Sequence, residues 1–268
     1  MKQSARTTTL ALDFLGCKLN QAEIQELGSE LAGAGYRLVE PDGKADIYVL
    51  NTCTVTHTAD RKSRQMLRAA RRRNPSARLI AIGCYADRAA DDLAGIEGVE
   101  LVLGNDRKRQ LVELLGKAGA GESPEEEKLS SLKTGRTRSF LRVQDGCRNA
   151  CAYCIVPIVR SRVESVPADR VLAMVKEQIS AGYREIVLTG TEIGTYDDNS
   201  TDLKALLERV FAETGIDRLR ISSLQPPEIT PELIRLWQNP RLCPHFHLSL
   251  QSGSDAVLKQ MKRRYNRG

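Results

Sequence analysis

Three apolar runs in the first part of the chain each pass straight into a cysteine: Phe14-Leu15-Gly16-Cys17, Leu50-Asn51-Thr52-Cys53 and Ala81-Ile82-Gly83-Cys84. The strands expected there, Leu10–Leu15, Ile47–Leu50 and Leu79–Ile82, are joined by a fourth at Val99–Leu103. They alternate with helical stretches at Gln21–Ala34, His57–Arg73, Ala86–Leu93 and Arg107–Leu115. That alternation is the pattern of a parallel sheet wrapped by helices. Parallel strands point one way, so their C-terminal ends share one edge, where open α/β sheets bind ligands. Cys17, Cys53 and Cys84, scattered in sequence, are therefore expected to be neighbours in space. One cysteine at a strand end reads as a small buried apolar residue; three at equivalent positions read as a three-thiolate site. Gly16 and Gly83, just before two of them, suit tight turns that bring backbone close to a bulky group.

A second triad is local. Asp145-Gly-Cys-Arg-Asn-Ala-Cys-Ala-Tyr-Cys-Ile-Val-Pro157 places Cys147, Cys151 and Cys154 in one loop just after the expected strand Phe140–Val143. Soft thiolates this close suit an iron–sulfur cluster or zinc. A structural zinc site takes four protein ligands, whereas three leave a position open for substrate or cofactor. The zinc reading needs a distant fourth ligand such as Cys243 or His245, and zinc knuckles usually bring cysteines in CxxC pairs. After the loop come a helix at Asp169–Ala181, a strand at Glu185–Leu188, a helix at Leu203–Thr214, a strand at Leu219–Ser222, a helix at Pro231–Gln238, a strand at Phe246–Leu250 and a helix at Asp255–Arg264. Four βα repeats imply a βα barrel or part of one, with its active site at the C-terminal ends of the strands. Polar groups recur at those ends: Thr189-Gly-Thr-Glu-Ile-Gly194, Ser222-Ser223 and Ser249-Leu-Gln251-Ser-Gly253. Cys243 fits neither triad and reads as structural.

With 268 residues, 41% of them hydrophobic, the chain can bury two ordinary cores. The apolar periodicity lapses over Gly116–Ser139, where glycine, serine and charge predominate, so domains are expected at 1–118 and 139–268 with a linker at 119–138. Met1-Lys-Gln-Ser-Ala-Arg has no signal-peptide core and no apolar run reaches membrane-spanning length, so a cytoplasmic protein with no membrane partner is expected. In that compartment seven cysteines argue for metal or redox chemistry rather than disulfides. The net charge of +6 fits a polyanionic partner but specifies none. Arg61, Arg64, Arg68 and Arg72 share one face of the expected second helix and could follow an RNA backbone; a solvated face fits equally. No aromatics interleave with them, so base stacking is not indicated.

The cysteine loop, with Tyr153 before its last cysteine, resembles that of radical S-adenosylmethionine (SAM) enzymes. Leu15-Gly-Cys-Lys-Leu-Asn-Gln21, Asn51-Thr-Cys-Thr-Val-Thr56, Ala59-Asp-Arg-Lys-Ser-Arg-Gln65 and Gly83-Cys-Tyr-Ala86 resemble the N-terminal domain of the tRNA methylthiotransferases. Within that family they are most similar to the version acting on N6-threonylcarbamoyladenosine at tRNA nucleotide 37. The resemblance implies an N-terminal open parallel sheet flanked by helices, followed by a partial, TIM-like radical SAM barrel. It also implies two [4Fe-4S] clusters: one on Cys147, Cys151 and Cys154 that binds SAM at its open iron, and an auxiliary one on Cys17, Cys53 and Cys84. Gly190, Thr191 and Glu192 then become SAM contacts, Tyr153 lies beside the cofactor, and Ser223 and Gln251 are weaker candidates. No further catalytic residue is called for. The implied partners are tRNA, a reducing electron donor and a sulfur donor.

Within the same chemistry the acceptor could instead be isopentenyladenosine-37 of tRNA or a ribosomal-protein aspartate; outside it stands a non-catalytic iron–sulfur or zinc protein that binds RNA. Members of the family continue past the point matching Gly268, with further βα units and a small RNA-binding β-barrel called TRAM. The barrel is therefore expected to be truncated, and this chain poorly soluble or weakly active.

Overall fold

In the first unit the expected alternation forms a five-stranded sheet built from β1 (Thr9–Phe14), β2 (Arg37–Val39), β3 (Ile47–Thr52), β4 (Arg78–Gly83) and β5 (Val99–Leu103). All its pairings are parallel and its order is β2-β1-β3-β4-β5. The computed structural model describes residues 7–117, 137–199 and 201–268, and the chain divides into compact units at Met1–Gly135 and Arg136–Gly268. The expected linker at 119–138 lies outside the described residues except for its last two positions.

Helices α1 (Lys18–Gly33), α2 (His57–Arg73), α3 (Cys84–Arg88), α4 (Ala90–Ala94) and α5 (Leu111–Leu115) flank this sheet. Side chains alternate across a strand, so Leu79 and Ala81 pack with Leu67, Tyr85 and Leu93, while Ile80 and Ile82 pack with Leu10, Leu31 and Leu111. β3 is buried throughout, as a central strand covered on both faces must be. Asp60, Ser63, Leu67 and Ala70 set the inward stripe of α2. Thr56 caps that helix, its hydroxyl accepting from the Ala59 N–H at 3.1 Å. The strand order reverses between β1 and β3, which opens a crevice beyond their C-terminal ends.

Three local features differ from expectation. The edge strand β2 is too short and polar to show a period. α1 starts at Lys18, so Cys17 is its N-cap residue. The helix expected at Ala86–Leu93 breaks into α3 and α4 at Ala89, whose φ of −151° is not helical.

The second unit is built on a parallel sheet ordered β12-β9-β6, from β6 (Arg138–Arg142), β9 (Glu185–Thr189) and β12 (Arg218–Ile221). Two short antiparallel pairs accompany it, β7 (Gln144–Asp145) with β8 (Glu164–Ser165) and β10 (Asp197–Asp198) with β11 (Thr201–Asp202). The helices are α6 (Val156–Val159), α7 (Ala168–Ser180), α8 (Leu203–Glu213), α9 (Pro231–Arg235) and α10 (Asp255–Gln260). Leu141, Val171, Leu188, Leu207 and Leu219 belong to its core. At the N-terminal ends of the strands the buried Glu185 carboxylate meets Arg138 and Arg220 at 2.6 Å and Arg218 at 2.9 Å. Burial alone would raise its pKa, but these guanidinium groups hold it below the usual carboxylate range. One end of the sheet is thus stapled by charge, and the other is left to chemistry.

The strand expected at Phe246–Leu250 reduces to an isolated bridge, Leu224 with Leu248. Ser223 and Gln251 sit at φ +66° and +62°, so the chain leaves the extended conformation on both sides of that bridge. Phe246, Leu248 and Leu250 are correspondingly exposed. Among the described residues the sheet does not close into a barrel, and no helix is long and apolar enough to cross a membrane.

Candidate metal centres

The loop from Cys147 to Cys154 is held shut at its base. Arg160, just after α6, donates from one guanidinium nitrogen to both oxygens of Asp145 at 2.8 Å, and both residues are buried. Asp145 Oδ1 also accepts from the Gly146 N–H at 2.7 Å and the Thr191 hydroxyl at 3.2 Å. Gly146 has φ +76°, and a Cβ there would fall 2.2 Å from the Arg162 carbonyl oxygen, so no other residue fits without backbone movement.

Glu192 is the polar hub above this base. Its backbone N–H donates to Gln144 Oε1 at 2.8 Å. The Cys147 thiol donates to its Oε2 at 3.0 Å, while Gln225 donates to its Oε1 at 2.6 Å and Asn149 donates to the same oxygen. Gln225 in turn accepts from Arg263 at 2.6 Å, and a second nitrogen of Arg263 donates to Cys151 Sγ at 3.3 Å. A chain of contacts therefore runs Cys147–Glu192–Gln225–Arg263–Cys151. Cys154 closes the turn, its N–H donating to Cys151 O at 3.1 Å. Burial, then the facing Glu192 carboxylate, push the Cys147 thiol up to about 12; burial also raises Cys154. A metal ligated there would have to displace these protons.

The remaining candidates of this unit divide. A Cβ on Gly190 would fall 2.7 Å from Gln144 Oε1, so glycine lets β7 approach the end of β9. Thr191 binds the Asp145 carboxylate, as given above, and Tyr153 is half exposed at the loop's rim. Ser223 bonds to His247, its N–H donating to Nδ1 at 3.0 Å, and Gln251 is exposed; among the described residues neither has a hydrogen bond to the cysteine loop. Asn149, Gln225 and Arg263 carry the network but were not singled out in the sequence. Their partners lie 43, 33 and 112 residues away, and no local pattern marks such pairings.

In the first unit the other three thiols follow consecutive neighbours in the sheet. Phe14 pairs with Asn51 and Thr52 with Gly83, so Cys17, Cys53 and Cys84 emerge from the ends of β1, β3 and β4. Gly16, at φ +117°, keeps space open there: a Cβ would fall 2.9 Å from Cys53 Sγ. Gly83, at φ +94°, brings its backbone against Asn51. Two amide side chains attend the thiols. Asn20 ties the strand ends together, donating to Leu15 O at 2.8 Å and Thr52 O at 3.1 Å, and accepts from Cys17 Sγ at 3.6 Å. Asn105 donates to Cys84 Sγ at 3.6 Å and accepts from Lys108 at 2.8 Å; buried Lys108 pairs with Glu23.

Among the described residues no three His, Cys, Asp or Glu side chains converge tightly enough to chelate a single ion. Cys243, offered above as a distant zinc ligand, packs in the core beside β12, its N–H donating to Leu219 O at 2.9 Å. Three thiols with N–H donors aimed at sulfur, and a glycine clearing space at one of them, are donor sets that fit a cluster with an open iron.

Comparison with known proteins bears on both units. Residues 9–104 match the "Uncharacterized protein family UPF0004" and residues 141–267 the "Radical SAM superfamily". The chain is 38% identical to the threonylcarbamoyladenosine tRNA methylthiotransferase MtaB of Aquifex aeolicus, over 96% of this chain and 66% of that one. It is 33% identical to the tRNA-2-methylthio-N(6)-dimethylallyladenosine synthase of Pelodictyon phaeoclathratiforme, over 95% and 62%. The fold resembles that of the radical SAM methyltransferase TsrM from Kitasatospora setae, with a TM-score of 0.57, 13% identity and coverage of 97% of this chain and 63% of that one. The chain spans 60–66% of the length of four MtaB relatives that it matches. Both family matches and these identities put the same conclusion on both halves of the sequence: the chain belongs to the tRNA methylthiotransferase family of radical SAM proteins.

Proposed function

We propose that this protein acts as a radical SAM methylthiotransferase converting N6-threonylcarbamoyladenosine at position 37 of tRNA to its 2-methylthio derivative. The observation that carries the reading is the presence in one chain of two three-thiol sites of different construction, one with Glu192 set against it. Cys147, Cys151 and Cys154 would hold the cluster that binds SAM, and Cys17, Cys53 and Cys84 the auxiliary cluster. When bound, the first cluster with SAM supplies the 5′-deoxyadenosyl radical and the second a site for sulfur.

The chain's own residues do the rest. Glu192, already an acceptor for three donors, would take a charge-assisted hydrogen bond from the SAM ammonium. Gly190 and Thr191 hold the backbone at that contact, and Tyr153 borders it. Arg263 and Asn105 aim N–H groups at cysteine sulfur, where hydrogen bonds tune cluster potential. Ser223 and Gln251 are secondary candidates for SAM. The domain assignment follows: 1–118 for sulfur delivery and 139–268 for the radical step, in a cytoplasmic protein served by an electron donor and a sulfur donor.

The relatives named MtaB favour the threonylcarbamoyl substrate over the dimethylallyl one of the second relative. Anaerobic reconstitution followed by iron, sulfide and 5′-deoxyadenosine analysis tests the reading. About eight irons per chain are expected for two four-iron clusters; stoichiometric zinc without sulfide overturns it. Nucleoside analysis of tRNA from a deletion strain decides the acceptor, and loss of the dimethylallyl product instead would replace the substrate named here.

A further inference from the structure

The outer face of α2 carries charge that the sulfur and radical chemistry does not use. Arg61, Arg68 and Arg72 are exposed and lie seven and four residues apart, within one narrow stripe. The neighbouring arginines are engaged. Arg71 pairs with Glu97 at 3.0 Å, and Arg64 donates to the Tyr85 hydroxyl, so the face read from the sequence loses Arg64 to an internal contact. The side chains of Arg61, Arg68 and Arg72 have no hydrogen bond or ion pair among the described residues. At 1.5 Å per residue the stripe is about 16 Å long.

The stripe begins at a cleft of about 440 Å³ whose lining includes Arg61, Arg64, Arg88, Asp60 and Asp92. The two carboxylates there are already taken. Asp60 accepts from Arg88 and the Thr54 hydroxyl, both at 2.6 Å, and Asp92 accepts from the Tyr85 hydroxyl at 3.0 Å. The guanidinium groups of Arg64 and Arg88 lie 5.6 and 5.3 Å from the centroid of the Tyr85 ring. Thr54 directly follows Cys53 and Tyr85 directly follows Cys84, so this cationic cleft is built on residues adjoining two of the strand-end thiols.

We infer that the Arg61–Arg68–Arg72 stripe, leading into this cleft, grips the phosphate backbone of the RNA substrate beside the Cys17, Cys53 and Cys84 site. This rests on the tRNA reading proposed above. Unpaired guanidinium groups at helical spacing match a polyanion whose charges recur along a strand. The absence of aromatics on the stripe makes the grip one of charge rather than of base identity. The outer face offers no apolar row with which to enter a lipid surface.

The test is binding of transcribed tRNA to the whole protein across a salt series, comparing wild type with R61Q/R68Q/R72Q and with R61K/R68K/R72K. Thermal melts confirm folding, and R170Q/R184Q/K204Q, on the other unit, controls for net charge. Each lost phosphate contact lowers the slope of log K against log salt by about 0.7–0.9, so the glutamine variant, which loses three, should lose about two to three units of slope and bind at least about tenfold more weakly near 0.1 M salt. The lysine variant should keep most of the slope, and the control should change little. If wild type binds tRNA and the folded glutamine variant matches it in slope and affinity, the stripe is overturned and the tRNA reading stands. If wild type binds no tRNA, both fall. Preference of the stripe for anionic phospholipid vesicles over tRNA also overturns it.

Discussion

The two cysteine triads reach similar donor sets by opposite routes. Cys147, Cys151 and Cys154 come from one short loop, shut by Arg160 on Asp145 and spanned by Glu192, Gln225 and Arg263. Cys17, Cys53 and Cys84 follow three different strands and share one sheet edge only because β1, β3 and β4 are parallel neighbours in register. The loop is local in sequence but needs distant side chains to fix its shape. The strand-end site is dispersed in sequence, yet the sheet itself fixes its spacing. A loop with only short turns of its own must borrow its rigidity from distant side chains, whereas a buried sheet edge already has it.

If that contrast is right, breaking the borrowed clamp should be costlier than disturbing the sheet edge. Arg160→Ala leaves the buried Asp145 carboxylate without its guanidinium partner and should cost about 3–5 kcal/mol of second-unit stability, read by chemical denaturation. First-unit cluster loading, followed by iron content and electron paramagnetic resonance, should persist in that variant; its loss would erase the distinction between the two sites.

The glycines give the next step. Gly146→Ala drives a Cβ into backbone and should cost about 1–3 kcal/mol; Gly16→Ala meets the Cys53 side chain and should reduce auxiliary-cluster loading more than stability. Equal melting losses in both would show the sheet edge to be as strained as the loop. Arg263→Ala should lower stability by about 1–2 kcal/mol and shift the reduction potential of the second-unit cluster, with Arg263→Lys restoring part of the shift. An unchanged potential would remove Arg263 from the clamp.

The smallest effect concerns pH. Burial, reinforced by the charge of Glu192, pushes Glu228 up to about 7. A carboxyl whose folded pKa is raised binds more protons folded than unfolded, so its contribution favours the folded state at low pH and is lost as pH rises from the usual carboxylate range through 7. Glu228→Gln should flatten that decline, measured as melting temperature between pH 5 and 8. A profile parallel to wild type would place Glu228 in solvent contact instead.

Much of the scaffold was readable in the residues. The runs at Ile47 and Leu79 are continuous and apolar because their strands are covered on both faces, and α2 fills the expected span His57–Arg73. β2 was missed because three residues at a sheet edge carry no period. The bridge at Leu248 read as a strand because its apolar residues alternate, although left-handed residues at Ser223 and Gln251 stop the pairing. Asn149, Gln225 and Arg263 were invisible because a hydrogen bond between residues far apart leaves no mark on either segment.

The sequence by itself determined which atoms could hold metal, since thiol spacing and the cysteines at strand ends are properties of the chain read in order. It also determined that those strands run parallel, because the connections between them are long enough to be helices. Only the tertiary structure decided which polar groups face the sulfurs and which arginines on α2 stay unpaired. Those outcomes depend on where distant backbones pass within hydrogen-bond reach, and local propensity does not encode that distance.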